Sequence, residues 1–133
     1  REAGGEYGAA TGRPRRVGGF DAVASRFGVR MQGADALALT KLDVMSYMDK
    51  IPVCVAYDVD GQLLTDFPTG EALNKSKPVF EYFPGWKCDI SGVRRFEDLP
   101  VEAQNYVLAL EKMVECPIKY VSVGAERDAY IER

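Results

Sequence analysis

The chain contains no histidine among its 133 residues, which removes the commonest general base and the commonest metal ligand. No apolar run approaches the ~20 residues that a membrane-crossing helix needs. No apolar segment follows the first charged residues, as it would in a secretory signal. A G-x-x-x-x-G-K-[ST] phosphate loop is also missing. These absences predict that the chain has no membrane partner and holds no metal or phosphate-loop centre of its own.

Cysteine is scarce, and its pattern bears on the redox compartment. Cys54, Cys88 and Cys116 are odd in number, widely spaced and free of any C-x-x-C pair. This pattern favours reduced thiols in the cytoplasm over a disulfide framework or a zinc site. The net charge of −3 argues against a general nucleic-acid binder, which would need more basic surface.

The residues that are present predict one soluble α/β domain. Hydrophobic residues make up 47% of the chain, and its length allows a core that buries roughly two-thirds of the unfolded surface. Asp21 and Asp98 are typical helix caps, Gly33 is typical of a helix end, and Asp60-Gly61 is typical of a hairpin turn. Helical spacing predicts apolar faces with Ala24, Phe27 and Met31 on the first helix and with Tyr106, Leu110, Met113 and Val114 on the second. We expect Trp86 to be a packing anchor. We expect a partial mixed sheet with flanking helices, built from helices after both caps and strands at 36–40, 53–57, 78–83, 118–121 and 129–133.

One strand ends in a pattern that suits a guanine base. The apolar run from Leu37 delivers Thr40-Lys41-Leu42-Asp43 where the strand would stop. A carboxylate can accept two hydrogen bonds at once, from N1–H and N2–H of guanine, and adenine lacks this pair of donors. The lysine stem could lie along the face of the base. The alternative is a Lys–Asp pair at an ordinary strand end.

A later strand ends in small residues that could bind another part of the same base. Guanine also has an acceptor, O6, and the loop Ser122-Val123-Gly124 could offer backbone N–H groups to it. Gly124 would allow close approach of the ligand. The alternative is a common loop, because serine and glycine often follow strands.

The N-terminal segment carries a glycine-rich run with several arginines. Residues 8–16 read Gly-Ala-Ala-Thr-Gly-Arg-Pro-Arg-Arg, which cannot form regular structure. Guanidinium groups bind carboxylates and phosphates in a two-pronged way, so a small dicarboxylate or a phosphorylated substrate would fit. A solvated basic loop is the alternative interpretation.

These motifs together resemble the C-terminal third of adenylosuccinate synthetase, a family of purine-biosynthetic ligases. The resemblance runs from about residue 5 to the end and rests on motifs at 8–16, 20–23, 39–44, 53–57, 84–86 and 122–124. It implies the C-terminal part of a P-loop-NTPase-like nucleotide-binding fold. In that reading residues 1–19 form an Arg-rich substrate loop, and residues 20–133 form an α/β portion with guanine-binding loops.

The resemblance also implies roles for individual residues, with none catalytic and none a metal ligand. The aspartate-binding loop would comprise Ala9, Ala10, Thr11, Gly12, Arg13, Pro14 and Arg15. Arg13 would also bind inosine monophosphate (IMP), and Arg15 would also bind GTP. The guanine of GTP would be held by Lys41, Leu42, Asp43, Ser122, Val123 and Gly124.

The implied activity is the GTP-dependent ligation of IMP and L-aspartate to adenylosuccinate. The family uses Mg²⁺, is cytoplasmic and is typically homodimeric, and its catalytic and metal-binding residues lie in the N-terminal part. We therefore expect these 133 residues alone to be inactive. The alternative is a stand-alone guanine-nucleotide-binding module without catalysis. Three departures from the family pattern are Ala10 for threonine, Gly19 for tryptophan and Ala125-Glu126 for Pro-Asp.

Overall fold

The structure, a computed structural model, describes residues 1–133 and contains seven strands and three α-helices. The α/β class, the mixed pairing and the flanking helices are confirmed, but the strands form two sheets where one partial sheet was expected. In chain order the elements are β1 (Phe20–Asp21), α1 (Ala22–Gln32), β2 (Leu37–Leu39), β3 (Lys50–Val59), β4 (Gln62–Leu64), α2 (Gly70–Lys75), β5 (Lys77–Pro84), α3 (Val101–Val114), β6 (Ile118–Ser122) and β7 (Tyr130–Glu132).

The four-stranded sheet is organised around the long strand β3. β1 pairs with it in parallel, and β4 and β5 pair with it antiparallel. The predicted hairpin turn joins β3 to β4, and Asp60 and Gly61 adopt positive φ angles of 53° and 87°. The Asp58 carboxylate accepts a hydrogen bond from the Gly61 N–H at 2.8 Å, which stabilises this turn.

The three-stranded sheet has the order β2-β6-β7 and carries the predicted site. β2 and β6 are parallel, with Leu39 opposite Val121. β7 returns antiparallel to β6, with Ile131 opposite Val121. The parallel pairing decides the geometry of the site, because it brings the carboxyl ends of β2 and β6 to the same edge of the sheet.

Helix α1 has the predicted ends but a different buried face. The Asp21 carboxylate accepts a hydrogen bond from the Ala24 N–H at 2.9 Å, and Gly33 ends the helix with φ 61°. Sequence periodicity placed Phe27 and Met31 on the apolar face, yet these side chains are 38% and 67% exposed. The buried contacts of α1 come instead from its first turn, which packs beside β3.

Helix α3 supplies the centre of the core. Asp98 is not its cap, since that residue belongs to a separate 3₁₀ turn, Phe96–Asp98, closed by the Leu99 N–H on the Phe96 carbonyl at 3.1 Å. Pro100 occupies the cap position instead, and its ring pre-sets the backbone for the first turn. The predicted apolar face is confirmed at its centre, where the buried residues are Ala103, Tyr106, Val107, Leu110 and Val114.

The core contains residues of both sheets, and its aromatic contacts centre on Tyr106 of α3. Tyr106 lies 5.9 Å, ring centre to ring centre, from Phe83 and from Trp86. Burial raises the pKa of the Tyr106 hydroxyl, so this side chain stays neutral. Trp86 is buried and donates its indole N–H to the Ser46 hydroxyl at 2.9 Å, which confirms the prediction that it is a packing anchor. No helix is long and apolar enough to span a bilayer.

The Glu111 carboxylate connects the end of α3 to β6 through hydrogen bonds, and its protonation state affects the free energy of unfolding. Burial raises the pKa of Glu111, but hydrogen bonds from the Ile118 N–H at 2.7 Å and the Arg133 guanidinium at 2.8 Å outweigh it, so the pKa is lowered overall. A carboxyl group whose pKa is lower in the folded than in the unfolded state increases the free energy of unfolding at pH values above its unfolded pKa. This contribution is lost as the pH falls through the folded pKa.

We expect Glu111→Gln to lower the free energy of unfolding by about 1 kcal/mol at pH 7, because the ion pair with Arg133 is lost. The difference from the unmodified chain should shrink below about pH 4.5, where the unfolded carboxylate becomes protonated. Urea unfolding followed by circular dichroism at pH 7, 5 and 3.5 measures this. Glu81→Gln, an exposed β5 carboxylate without an ion pair, is the control. A difference that is constant with pH would contradict the assignment.

Candidate functional site

The two predicted guanine loops lie side by side at one edge of the three-stranded sheet. Their contact is a backbone hydrogen bond in which the Leu42 N–H donates to the Ser122 carbonyl at 3.0 Å. The bond lies just past Leu39 and Val121, the last pair of the β2–β6 ladder, where both strands end. Asp43 is the residue after Leu42, and Gly124 lies two residues past Ser122, so the two predicted base-reading residues belong to the adjoining loops.

Asp43 presents an acceptor that no group in the chain uses. It is the first residue of a 3₁₀ turn, Asp43–Met45, and its carbonyl accepts from the Ser46 N–H at 3.0 Å. The side chain is half-buried and has no hydrogen bond or ion pair within the chain. A half-buried carboxylate without donors favours a ligand that brings two of them.

Lys41, two residues before Asp43, has a left-handed backbone conformation with φ 61°. Few residues other than glycine adopt this conformation, and it is often found at ligand-binding sites. The ammonium group donates to the Gly4 carbonyl at 3.0 Å and forms an ion pair with the Glu6 carboxylate. Half of the lysine side chain is exposed, so its stem is accessible from solvent.

The second loop leaves one backbone donor free. The Ser122 hydroxyl donates to the Gly124 carbonyl at 2.9 Å, and the Val123 N–H donates to the Ala129 carbonyl at 2.9 Å. The Gly124 N–H has no acceptor within the chain. A Cβ at residue 124 would lie 3.0 Å from the Ala129 Cβ, so a larger residue would crowd this loop.

The side chains of Leu42 and Val123 do not face a ligand. Both are fully buried in the core. In a base-binding site they would therefore hold the backbones of the two loops in place, while Asp43 and Gly124 carry the free polar groups.

The arginine-rich segment forms a short hairpin, which we call the Arg-rich hairpin (residues 6–16). Tyr7 and Pro14 form an antiparallel bridge, and the Gly8 N–H donates to the Arg13 carbonyl at 2.8 Å. The Thr11 hydroxyl accepts from the Arg13 N–H at 3.3 Å, inside the turn. The predicted residues Ala9, Ala10, Thr11 and Gly12 make up its exposed tip. Ala10 contributes no hydroxyl there.

The arginines of the hairpin differ in their partners. The Arg13 guanidinium is exposed and forms no hydrogen bond or ion pair with the chain. Arg15 pairs with Glu6, its Nη1 lying 3.0 Å from Oε2. Arg13 is therefore free to bind an anion, whereas Arg15 already shares a carboxylate with Lys41.

Glu6 is the residue that sequence reasoning missed. Hydrogen bonds from Lys41 and then Arg15 lower the pKa of its carboxyl group, so it stays ionised. No spacing rule relates Glu6 to Lys41, which lies 35 residues away, so only the folded chain brings them together. It connects the Arg-rich hairpin to the end of β2.

The glycine at position 19 has a local structural reason. A Cβ there would lie 2.5 Å from the Pro52 carbonyl oxygen, which is closer than non-bonded atoms approach. The backbone conformation of this chain therefore admits no larger residue at Gly19. Glycine in place of the expected tryptophan allows the segment before β1 to lie in close contact with strand β3.

Together these features define an α/β protein with two polar loops at the carboxyl edge of a parallel strand pair, next to an arginine-bearing hairpin. The chain matches the family model described as adenylosuccinate synthetase over residues 1–131. It is 52% identical over 132 residues to the adenylosuccinate synthetase of Geobacter metallireducens, covering 98% of this chain and 31% of that protein. It is 48% identical over 134 residues to the one of Leifsonia xyli, covering 100% of this chain and 31% of that protein.

A solved structure agrees with these sequence comparisons. The fully ligated adenylosuccinate synthetase of Plasmodium falciparum superposes with a TM-score of 0.94 at 38% identity, covering 100% of this chain and 32% of that chain. The chain belongs to the adenylosuccinate synthetase family. It spans about 31% of the length of the curated relatives it matches.

Proposed function

We propose that the chain acts in purine nucleotide biosynthesis as the C-terminal third of a GTP-dependent ligase that joins IMP and L-aspartate. Its part is to supply the guanine site and the substrate hairpin. The observation that carries the proposal is the 3.0 Å hydrogen bond from Leu42 to Ser122, which joins the loop of the unpaired Asp43 carboxylate to the loop of the free Gly124 N–H. In this proposal residues 1–19 form the substrate segment and residues 20–133 complete a P-loop-NTPase-like nucleotide-binding fold.

The guanine base would be recognised by donors and acceptors of both loops. The Asp43 carboxylate would accept from N1–H and N2–H, and the Gly124 N–H would donate to O6. The exposed stem of Lys41 would lie along the face of the base. Adenine presents no donor pair to Asp43, so this arrangement selects GTP over ATP.

The Arg-rich hairpin would bind the anionic groups of the other substrates. The free Arg13 guanidinium, which is exposed, would suit a two-pronged contact with a carboxylate of aspartate and would also bind IMP. Arg15 would link aspartate and GTP, beginning from its contact with Glu6. Thr11 and the backbone of Ala9, Ala10, Gly12 and Pro14 would complete the loop around aspartate.

The family implies Mg²⁺, and the residues of this chain do not fit a site for it. They include no group of three or more histidine, cysteine, aspartate or glutamate side chains placed to hold a metal ion. The metal-binding and catalytic groups would then come from the remaining two-thirds of the enzyme, which is the main partner of this chain. A cytoplasmic homodimer is the proposed working form.

A direct test separates the ligase portion from a stand-alone guanine-nucleotide module. We expect no adenylosuccinate from the 133-residue chain with GTP, IMP, aspartate and Mg²⁺, because the chain has no histidine and no phosphate loop. The measurement is the absorbance change on adenylosuccinate formation, and a complete family member is the positive control. Turnover by the chain alone would contradict the proposal. Stabilisation of the isolated chain by GTP and not by ATP in a thermal melt would favour the module.

A further inference from the structure

We propose that Glu6 is a positioning residue that couples binding of the guanine base to the arrangement of the Arg-rich hairpin. The inference rests on the proposed function, because it uses the guanine site of Lys41 and Asp43 and the aspartate site of the hairpin. It adds a residue that neither site contains and a property that neither has by itself, namely that occupancy of one changes the affinity of the other.

The two oxygens of the Glu6 carboxylate bind two different cations. Oε2 accepts from Arg15 Nη1 at 3.0 Å, and Oε1 accepts from the Lys41 ammonium. Arg15 is a residue of the hairpin, and Lys41 lies at the end of β2. The carboxylate therefore joins two elements that are separated by more than twenty residues in the chain and that would bind different substrates.

The backbone of Glu6 fixes the base of the hairpin at the same place. The Arg15 N–H donates to the Glu6 carbonyl and the Glu6 N–H donates to the Arg1 carbonyl, each at 3.0 Å. The Arg1 side chain in turn donates from Nε to the Arg15 carbonyl at 2.8 Å. Movement of the Glu6 side chain is therefore transmitted to the point where the two arms of the hairpin meet.

The Glu6 side chain is shielded from solvent compared with its partners. It is 18% exposed, whereas Lys41 is 50% and Arg15 is 57% exposed. Ion pairs that are shielded from water and arranged in a network contribute more than isolated exposed pairs. The three residues thus form a charge network that connects the two sites.

The coupling follows from the conformational freedom of Lys41. A base lying on the lysine stem restricts the side chain and fixes the position of its ammonium group. Glu6 and Arg15 are then already partly ordered before aspartate binds. Aspartate binding therefore costs less conformational entropy. By linkage, aspartate must raise the affinity for the guanine nucleotide by the same factor.

The test measures this factor in the complete enzyme by isothermal titration. The dissociation constant of aspartate is determined with and without saturating GDP, and that of GDP with and without saturating aspartate. We expect GDP to tighten aspartate binding by about threefold to tenfold, a modest coupling between sites, and Glu6→Gln to reduce this factor to about one. Both titrations must give the same factor, and Glu6→Asp should restore part of it because the carboxylate is retained.

The control is Glu115→Gln, which removes an exposed carboxylate that pairs with Arg30 at 2.9 Å and precedes β6, at the opposite end of this strand from the site. It should leave the coupling factor unchanged. A factor that remains at its original value in Glu6→Gln would overturn the inference, even if the melting temperature falls. Asp43→Asn tests the proposed function separately: if that variant binds GDP as tightly as the unmodified enzyme, the guanine site itself is wrong.

Discussion

Asp43→Asn is expected to make the proposed guanine site prefer xanthine nucleotides. The carboxylate would accept from N1–H and N2–H of guanine, and asparagine places an amide N–H₂ opposite one of these donors. Xanthine carries a carbonyl where guanine carries the amino group, so it can accept from that amide. We expect the KM for GTP to rise on the order of a thousandfold, since the charge of the acceptor is lost, one hydrogen bond is lost with it, and the amide N–H₂ faces a guanine donor.

The measurement compares initial rates with GTP and with xanthosine triphosphate in the complete enzyme. The KM for IMP should stay within about twofold, because its contacts are separate. The fold should be unaffected, as the Asp43 carboxylate has no partner within the chain. Asp49→Asn, which breaks an exposed ion pair with Lys87, is the matched control. An unchanged KM for GTP would show that Asp43 does not bind the base.

Arg13→Leu is expected to reduce kcat/KM for aspartate on the order of a hundredfold, because a charged two-pronged contact is removed. The reason lies in the difference between the two arginines: Arg13 has no partner within the chain, so its binding capacity is available to substrate. Its loss should raise the KM for aspartate and for IMP together. The KM for GTP should change little, because the guanine loops remain intact.

The comparison for this prediction is Arg94→Leu. The Arg94 guanidinium contacts only the carbonyls of Ser91 and Val93 on an exposed turn, so this variant should keep all three KM values. Arg13→Lys should recover only part of the activity, since an ammonium group cannot reproduce the planar fork. Equal effects on the KM values of aspartate and GTP would place Arg13 outside the aspartate loop.

The sequence could predict the elements that have strong local signals. Asp21 and Gly33 bound α1 as expected because cap and C-terminal glycine act within one turn. Asp60-Gly61 fixed its hairpin for the same reason. Asp98 was misassigned as a cap, since a local 3₁₀ turn competes for the same backbone groups and leaves Pro100 to start the helix.

The division into two sheets could not be predicted from the sequence. Strand pairing depends on long-range contacts, and nothing in the apolar run at 36–40 indicates whether it pairs with β3 or with β6. The parallel pairing of β2 with β6 is nevertheless what brings the two predicted loops together. Leu37 and Ile118 pair although they are 81 positions apart in the chain, and no spacing rule relates loops at such a separation.

Glu6 was outside the reach of sequence reasoning for a related reason. A single glutamate in a glycine-rich segment carries no periodicity, and its partners Lys41 and Arg15 were considered as ligands of substrates. Its importance is visible only as a convergence of two cations on one carboxylate. Positioning residues of this kind depend on tertiary contacts, whereas residues that bind ligands directly leave recognisable chemical patterns.

We propose that the ends of β2 and β6 hold one guanine ring between them. Amide NMR of the complete enzyme, labelled at residues of both loops and titrated with GDP and then with ADP, would detect this contact. We expect the Asp43 and Gly124 signals to shift together, with one GDP dissociation constant, and to stay unchanged with ADP. GDP shifts confined to one of the two loops, or equal shifts with ADP, would show that no guanine ring is held there.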